Sequence, residues 1–93
     1  MDIVVYTTRR VLEHKKGQDG FQYYFWQLSR APRDFNVGDR IYFACNKEVQ
    51  GYFVCEEFNP GEKETVVWDK NSWVELESKI PCNGFRGFRY KWW

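Results

Sequence analysis

The chain holds little of what catalytic and metal sites are commonly built from. Its single histidine, His14, sits in the polar stretch EHKKGQDG with no cysteine or serine placed as in a triad, which fits a solvated loop residue. Three cysteines, Cys45, Cys55 and Cys82, form no C-x-x-C pair, so the paired spacing of a zinc site is missing. Their odd number fits free thiols in a reducing, cytoplasmic setting better than a disulfide framework. No glycine-rich loop leads from a strand into a long helix, which excludes the phosphate-loop and dinucleotide fingerprints. No apolar run reaches membrane-spanning length, and the opening MDIVVYTTRR is too short in apolar residues for a signal peptide. No metal, cofactor or membrane partner is therefore expected.

Strong charge of one sign is also lacking: the net charge is +1. The total conceals a pattern. Residues 1–47 carry eight Lys/Arg against five Asp/Glu, residues 48–77 two against eight, and residues 78–93 four against none. A chain segregated in this way can present one basic side. What is abundant is aromatic: five Trp, six Tyr and eight Phe in 93 residues. Large rings let one short domain, residues 1–93, fill a core without metal or disulfide, and they leave rings over for a surface or cleft. Nothing in the sequence speaks to oligomeric state, and a monomer is assumed.

Taken in order, Ile3-Val4-Val5-Tyr6 predicts a short central strand. Val11 to Lys16 fits either a helical turn or a continuation of that strand, and Gly17 to Gly20 a loop. Phe21 to Ser29 predicts a second strand with Tyr24, Trp26 and Leu28 on one face, and Pro32 takes the chain out of the sheet. Val37 to Phe58 predicts a long hairpin, the stretch around which the chain is organised. Its arms are Arg40–Cys45 and Val49–Glu56, joined by a polar Asn46-Lys47-Glu48 tip whose two-residue turn is taken at Lys47-Glu48. That register sets Ile41 opposite Val54, Phe43 opposite Tyr52 and Ala44 opposite Gly51. Asn59-Pro60-Gly61 then marks a turn and Thr65–Trp68 a strand. Ser72 and Glu75 have capping-box spacing, which predicts a short helix to about Glu77 or Ser78. Phe85 to Trp93 predicts a last strand with Phe88, Tyr90 and Trp92 on one face.

Apolar residues on both faces of the hairpin suit a covered strand pair, as in a small barrel. The glycine-aspartate turn Val37-Gly38-Asp39 leads into a strand carrying Ile41 and Phe43, and a short loop leads to Val49, Gly51, Phe53 and Val54. This quarter of the chain resembles the PUA-like superfamily, which includes the ASCH, EVE and YTH domains. The resemblance implies one mainly β (α+β) domain: a five- to six-stranded, mixed but mostly antiparallel barrel with one or two short helices. It also implies a cleft for RNA, DNA or a modified nucleobase.

The residues themselves point the same way where cations alternate with rings. Arg86, Arg89 and Lys91 interleave with Phe85, Phe88 and Tyr90, and Ser29-Arg30 follows closely on Trp26. Cations on phosphates and rings against bases are the means by which single strands are held. The expected site therefore draws its stacking face from Trp26, Trp68 or Trp73. Arg30, Arg86 and Arg89 would make phosphate or base-edge contacts, and Ser29 and Asn71 would read polar edges. Non-catalytic binding of RNA, or of a modified nucleobase in RNA or DNA, is the leading expectation. An ASCH-type enzyme acting on a nucleoside or RNA is the first alternative. Thr7 and Thr8 are present, but that family's Lys-x-x-Thr spacing is not. A protein-interaction module that docks an aromatic surface is the second.

Overall fold

The computed structural model describes residues 1–59 and 64–93, so the turn expected at Pro60-Gly61 lies outside the described residues. Within them the chain forms β1 (Ile3–Tyr6), α1 (Arg9–Glu13), β2 (Tyr23–Gln27), β3 (Arg40–Cys45) and β4 (Glu48–Val54). There follow β5 (Glu57–Asn59), β6 (Thr65–Asp69), β7 (Val74–Pro81) and β8 (Phe88–Tyr90). One sheet runs in the order β7-β4-β3-β1-β8 and a smaller one in the order β2-β6-β5. The β1–β3 pair is parallel and every other pair is antiparallel. The fold is thus mainly β, mixed and mostly antiparallel, with eight described strands where six were read from the sequence. The two sheets are separate ladders and do not close into a barrel among the described residues. No helix among them is long and apolar enough to cross a membrane.

Val11 to Lys16 resolves to helix rather than strand. The β1 ladder ends where the Thr7 N–H donates to the Ala44 carbonyl, and the Thr8 hydroxyl then caps α1 by accepting from the Val11 N–H at 3.2 Å. Leu12 is the buried residue of this helix, which runs on into a π-turn over His14–Gln18.

The hairpin forms with its arms in place but in a different register. Asn46 and Lys47, at φ 54° and 62°, make the two-residue tip in place of Lys47-Glu48. Positive φ at both positions gives a primed turn, whose twist matches that of the strands. Ile41 therefore faces Phe53, Phe43 faces Gly51 and Ala44 faces Val49, with a bulge at Gln50. Gln50 is buried, and its amide donates to the carbonyls of Cys45 (2.9 Å) and Glu48 (3.3 Å), which fixes the bulge. The shift sends Phe53 inward with Ile41 and Phe43, and Tyr52 to the opposite face with Tyr42.

Beyond β4 the chain bends from one sheet into the other: Cys55 N–H still donates to Asp39, but Glu56 N–H donates to Val67 of β6. The inner faces of the two sheets meet over Val5, Tyr24, Phe43, Phe53, Val66 and Trp68. A second apolar cluster, built on Val4, Tyr42, Ala44 and Val49, lies on the other face of the larger sheet. Leu76, Ile80, Cys82 and Phe85 cover it, so the central hairpin is packed on both sides.

The helix expected after Ser72 is instead β7, preceded by a 3-10 turn over Lys70–Ser72. Asp69 caps that turn, accepting from the Asn71 N–H at 2.8 Å. The Ser72 hydroxyl is already engaged, donating to Asp69 O (2.7 Å) and accepting from the Val54 N–H (3.2 Å). Glu75 is likewise drawn away, accepting from the Trp73 indole at 3.0 Å and pairing with Lys79. Neither half of the capping box is free, and the open edge of β4 takes Val74–Pro81 as its neighbour. The last strand is shorter than predicted, because Gly87 at φ 70° turns the chain just before β8. After Tyr90 the Lys91 N–H donates back to the Asp2 carbonyl at 3.1 Å. Trp93 then folds across Tyr42 rather than extending the ladder, and Trp92 leaves the face of Phe88 and Tyr90 for solvent.

Candidate nucleic-acid interface

A cleft of about 380 Å³ opens where the C-terminal ends of β1 and β2 meet the segment leading into β8. Trp26, Leu28 and Ser29 form one wall, Tyr6 another, and Phe85, Arg86 and Gly87 the third. Alternation along β2 decides which residues arrive. Tyr24, Trp26 and Leu28 turn inward, while Tyr23, Phe25 and Gln27 face out. Trp26 is half-buried and meets Phe43 edge-on at 5.3 Å, which fixes its ring while leaving part of it to the cleft. Tyr6 is held at its hydroxyl, which accepts from the Lys47 N–H at 2.8 Å, and it packs edge-on against Phe85 at 5.7 Å. At Gly87 the backbone itself comes close: a Cβ there would stand 3.6 Å from the Ser29 hydroxyl.

Past Leu28 the chain runs alongside β8. The Arg30 guanidinium lies 4.5 Å from the centre of the Phe88 ring and that of Arg33 lies 5.5 Å from Tyr90. The Arg33 N–H donates to the Tyr90 hydroxyl at 2.8 Å, and this bond is the main cause that holds the Tyr90 phenol below its ordinary pKa. Arg86 precedes β8, Arg89 lies within it, and Lys91 follows. Among the described residues none of these five cations is in an ion pair with a carboxylate. β8 is an edge strand of the larger sheet, and acidic Glu75 and Glu77 lie on the opposite edge, β7. Glu56 and Glu57 stand at β5, the edge of the smaller sheet away from β2. The basic residues of the C-terminal segment and these acidic ones thus lie at different sheet edges.

Of the residues expected to form the site, the fold brings Trp26, Ser29 and Arg86 into the one cleft and sets Arg30 beside it. Arg89 does not line that cleft; it lies over Phe85, its guanidinium 4.9 Å from the ring centre, and lines a neighbouring one. Trp68 is corrected from a stacking ring to a core residue. It is wholly buried, stacked on Phe53 at 4.7 Å, and its indole N–H donates to the Lys15 carbonyl at 3.2 Å. Trp73 and Asn71 also stand apart from the cleft. They follow Asp69, which pairs with Tyr23 at the far end of the β2–β6 ladder from Gln27. Trp73 packs on Phe53 beneath Lys16, and the Asn71 N–H is taken up by Asp69. The sequence reading missed Tyr6 and Gly87 as cleft residues; nothing local marks the end of β1 as lying beside residues eighty positions later.

The remaining reactive groups are elsewhere. His14 pairs with Asp19 at 3.0 Å and meets Tyr24 edge-on. Burial pushes the Cys45 thiol up, and that of Cys55 to about 11. No three His, Cys, Asp or Glu side chains among the described residues are grouped to hold a metal ion. No protein family, curated protein or solved structure gives a significant match to this chain.

Proposed function

We propose that this chain is a PUA-like binding domain that takes RNA, or a modified nucleobase in RNA or DNA, into the cleft between Trp26 and Arg86, without catalysis. The observation that carries the reading is the convergence on one cleft of a fixed, partly open indole, a hydroxyl and a guanidinium that has no carboxylate partner among the described residues. Its 380 Å³ falls within the roughly 300–1,000 Å³ of small-ligand sites. A base inserted there stacks on Trp26, Ser29 meets a polar edge, and Arg86 takes a neighbouring phosphate. Arg30 and Arg33 extend the positive field along β8. Unpaired thiols fit a cytoplasmic setting.

The test is a titration of the protein with short RNA and DNA oligomers, including modified bases, at two salt concentrations. Affinity falls as salt rises, because each phosphate contact releases counterions. Trp26→Ala removes roughly 1–3 kcal/mol of stacking and alters base preference. The double variant Arg86→Ala, Arg89→Ala weakens all sequences alike and flattens the salt slope. Absence of binding at millimolar oligomer, or binding indifferent to salt, overturns the proposal.

One observation favours a second reading, a protein-interaction module. Phe21, Tyr23 and Phe25 stand 66, 52 and 55% exposed on and before β2, an edge strand of the smaller sheet. A salt-insensitive apolar association that Phe25→Ser abolishes would support it. The ASCH-type enzyme alternative has no such observation in its favour.

A further inference from the structure

A second cleft, of about 480 Å³, shares Phe85 with the Trp26 cleft. The two clefts therefore adjoin at that side chain. The second cleft is bounded by Cys82 and Asn83, by Arg89 laid over Phe85, and by Trp92. Among the described residues neither cleft has an aspartate or glutamate in its wall.

Trp92 is the unusual member. Its ring is 47% exposed, yet it is braced from behind: it meets Trp93 edge-on at 5.0 Å, and Trp93 meets Tyr42 edge-on at 4.9 Å. Lys91 stands over both Trp93 (5.4 Å) and Tyr42 (5.5 Å), which ties the whole tail to the outer face of the sheet. An indole held rigid while its outer surface stays wet is the form a stacking platform takes. The Arg89 guanidinium, 4.9 Å from the centre of the Phe85 ring, shares this cleft and makes no ion pair among the described residues.

We infer that the second cleft takes the nucleotide adjacent to the one held at Trp26, so that the protein reads two consecutive nucleotides of a single strand with Phe85 between them. This rests on the reading of the first cleft as a base site. The order of residues suits it. Arg86 serves the first cleft and Arg89 the second, and Phe85 lies between the two clefts, where the phosphate that joins two neighbouring nucleosides must pass. Asn83 offers an amide to the second base, and Trp92 its stacking face.

The experiment is calorimetric titration of the full chain with uridine and adenosine 5′-monophosphates and with the dinucleotides UpU and ApA. Each ligand carries one phosphate, so a gain in affinity comes from the second nucleoside and not from added phosphate. Dinucleotides are expected to bind about tenfold tighter than mononucleotides. Trp92→Ala should remove that gain and leave mononucleotide affinity unchanged, whereas Trp26→Ala should weaken both ligands. Circular dichroism of each variant confirms that it is folded. If dinucleotides gain nothing, or keep their gain in Trp92→Ala, the second cleft is not a nucleotide site, while mononucleotide binding lost in Trp26→Ala leaves the first reading standing. If neither ligand binds at millimolar concentration, the first reading fails and this inference falls with it.

Discussion

Gly51 lies directly beneath Trp73: a Cβ built on it would stand 2.6 Å from the indole ring and would also strike the Val74 carbonyl. The glycine is therefore what lets β7 and its preceding tryptophan close down on β4. Gly51→Val should lower stability by about 1–3 kcal/mol through overpacking, with the backbone contact pushing toward the upper end. A chemical denaturation curve reads it as a lower urea midpoint. An unchanged midpoint would show that the hairpin is not covered there.

Trp68 and Trp26 should separate cleanly on substitution. Trp68→Ala empties the centre of the inner core and orphans the Lys15 carbonyl, at a cost of about 3–5 kcal/mol. Trp26→Ala, at the half-buried edge, should cost less stability and show its main effect in ligand titration. Equal melting temperatures for the two variants would contradict the core assignment of Trp68.

Lys79 anchors the irregular middle of β7. Its ammonium donates to the carbonyls of Gln50 (2.9 Å) and Leu76 (2.8 Å) and pairs with Glu75, where the β4–β7 register slips. Lys79→Met keeps the aliphatic stem but leaves those carbonyls without their donor, which should cost about 1–2 kcal/mol in a thermal melt. Because two of the partners are carbonyls, high salt should not mask the loss as it would for a surface ion pair.

The thiols give a pH test. Cys55 is held neutral by burial, its pKa raised to about 11, so the native protein keeps a proton there that the unfolded chain has lost. The stabilisation from this site is complete below the unfolded value near 9 and is lost as pH rises from there through about 11. Cys55→Ala should therefore flatten the fall of melting temperature over that interval relative to the parent protein. A fall of the same steepness in both proteins would remove Cys55 as its source.

Reaction with a thiol reagent distinguishes the same three residues by position. Cys82, partly exposed, should react first in the folded protein, with Cys45 and Cys55 following only on unfolding. Denatured protein prepared without oxidant should yield all three thiols. Recovery of a single thiol would indicate a disulfide.

Much of the architecture could be read from residues whose signal is local. The β-branched and aromatic runs at Ile3–Tyr6, Tyr23–Gln27, Arg40–Cys45 and Thr65–Trp68 are strands in the fold, because pleated, half-buried surfaces select those side chains wherever they occur. Pro32 lies outside the sheets as its backbone preference requires, whereas of the loop expected over Gly17–Gly20 the first two residues close the π-turn. Asn46 and Lys47 were harder: their left-handed conformations set the turn, yet no glycine announces it, and the true register also depends on a bulge that Gln50 holds from the side.

The rest was decided by partners distant in sequence. Ser72 and Glu75 carry a genuine helix signal, but β4 had an open edge and took both side chains into other bonds, so tertiary pairing prevailed over a cap that stabilises a helix by only about 1 kcal/mol. The candidate site shows the same division. Arginines alternating with rings near the C-terminus, and serine and arginine after Trp26, are visible in the sequence as chemistry. Which tryptophan faces a cleft is not, because Trp26 and Trp68 sit on paired inward faces and differ only in what lies over them. Trp68 is roofed by Phe53 and α1's trailing turn, whereas Trp26 lies in the wall of a cleft whose other walls come from Tyr6 of β1 and from the segment leading into β8, and that difference exists only once β8 has paired with β1.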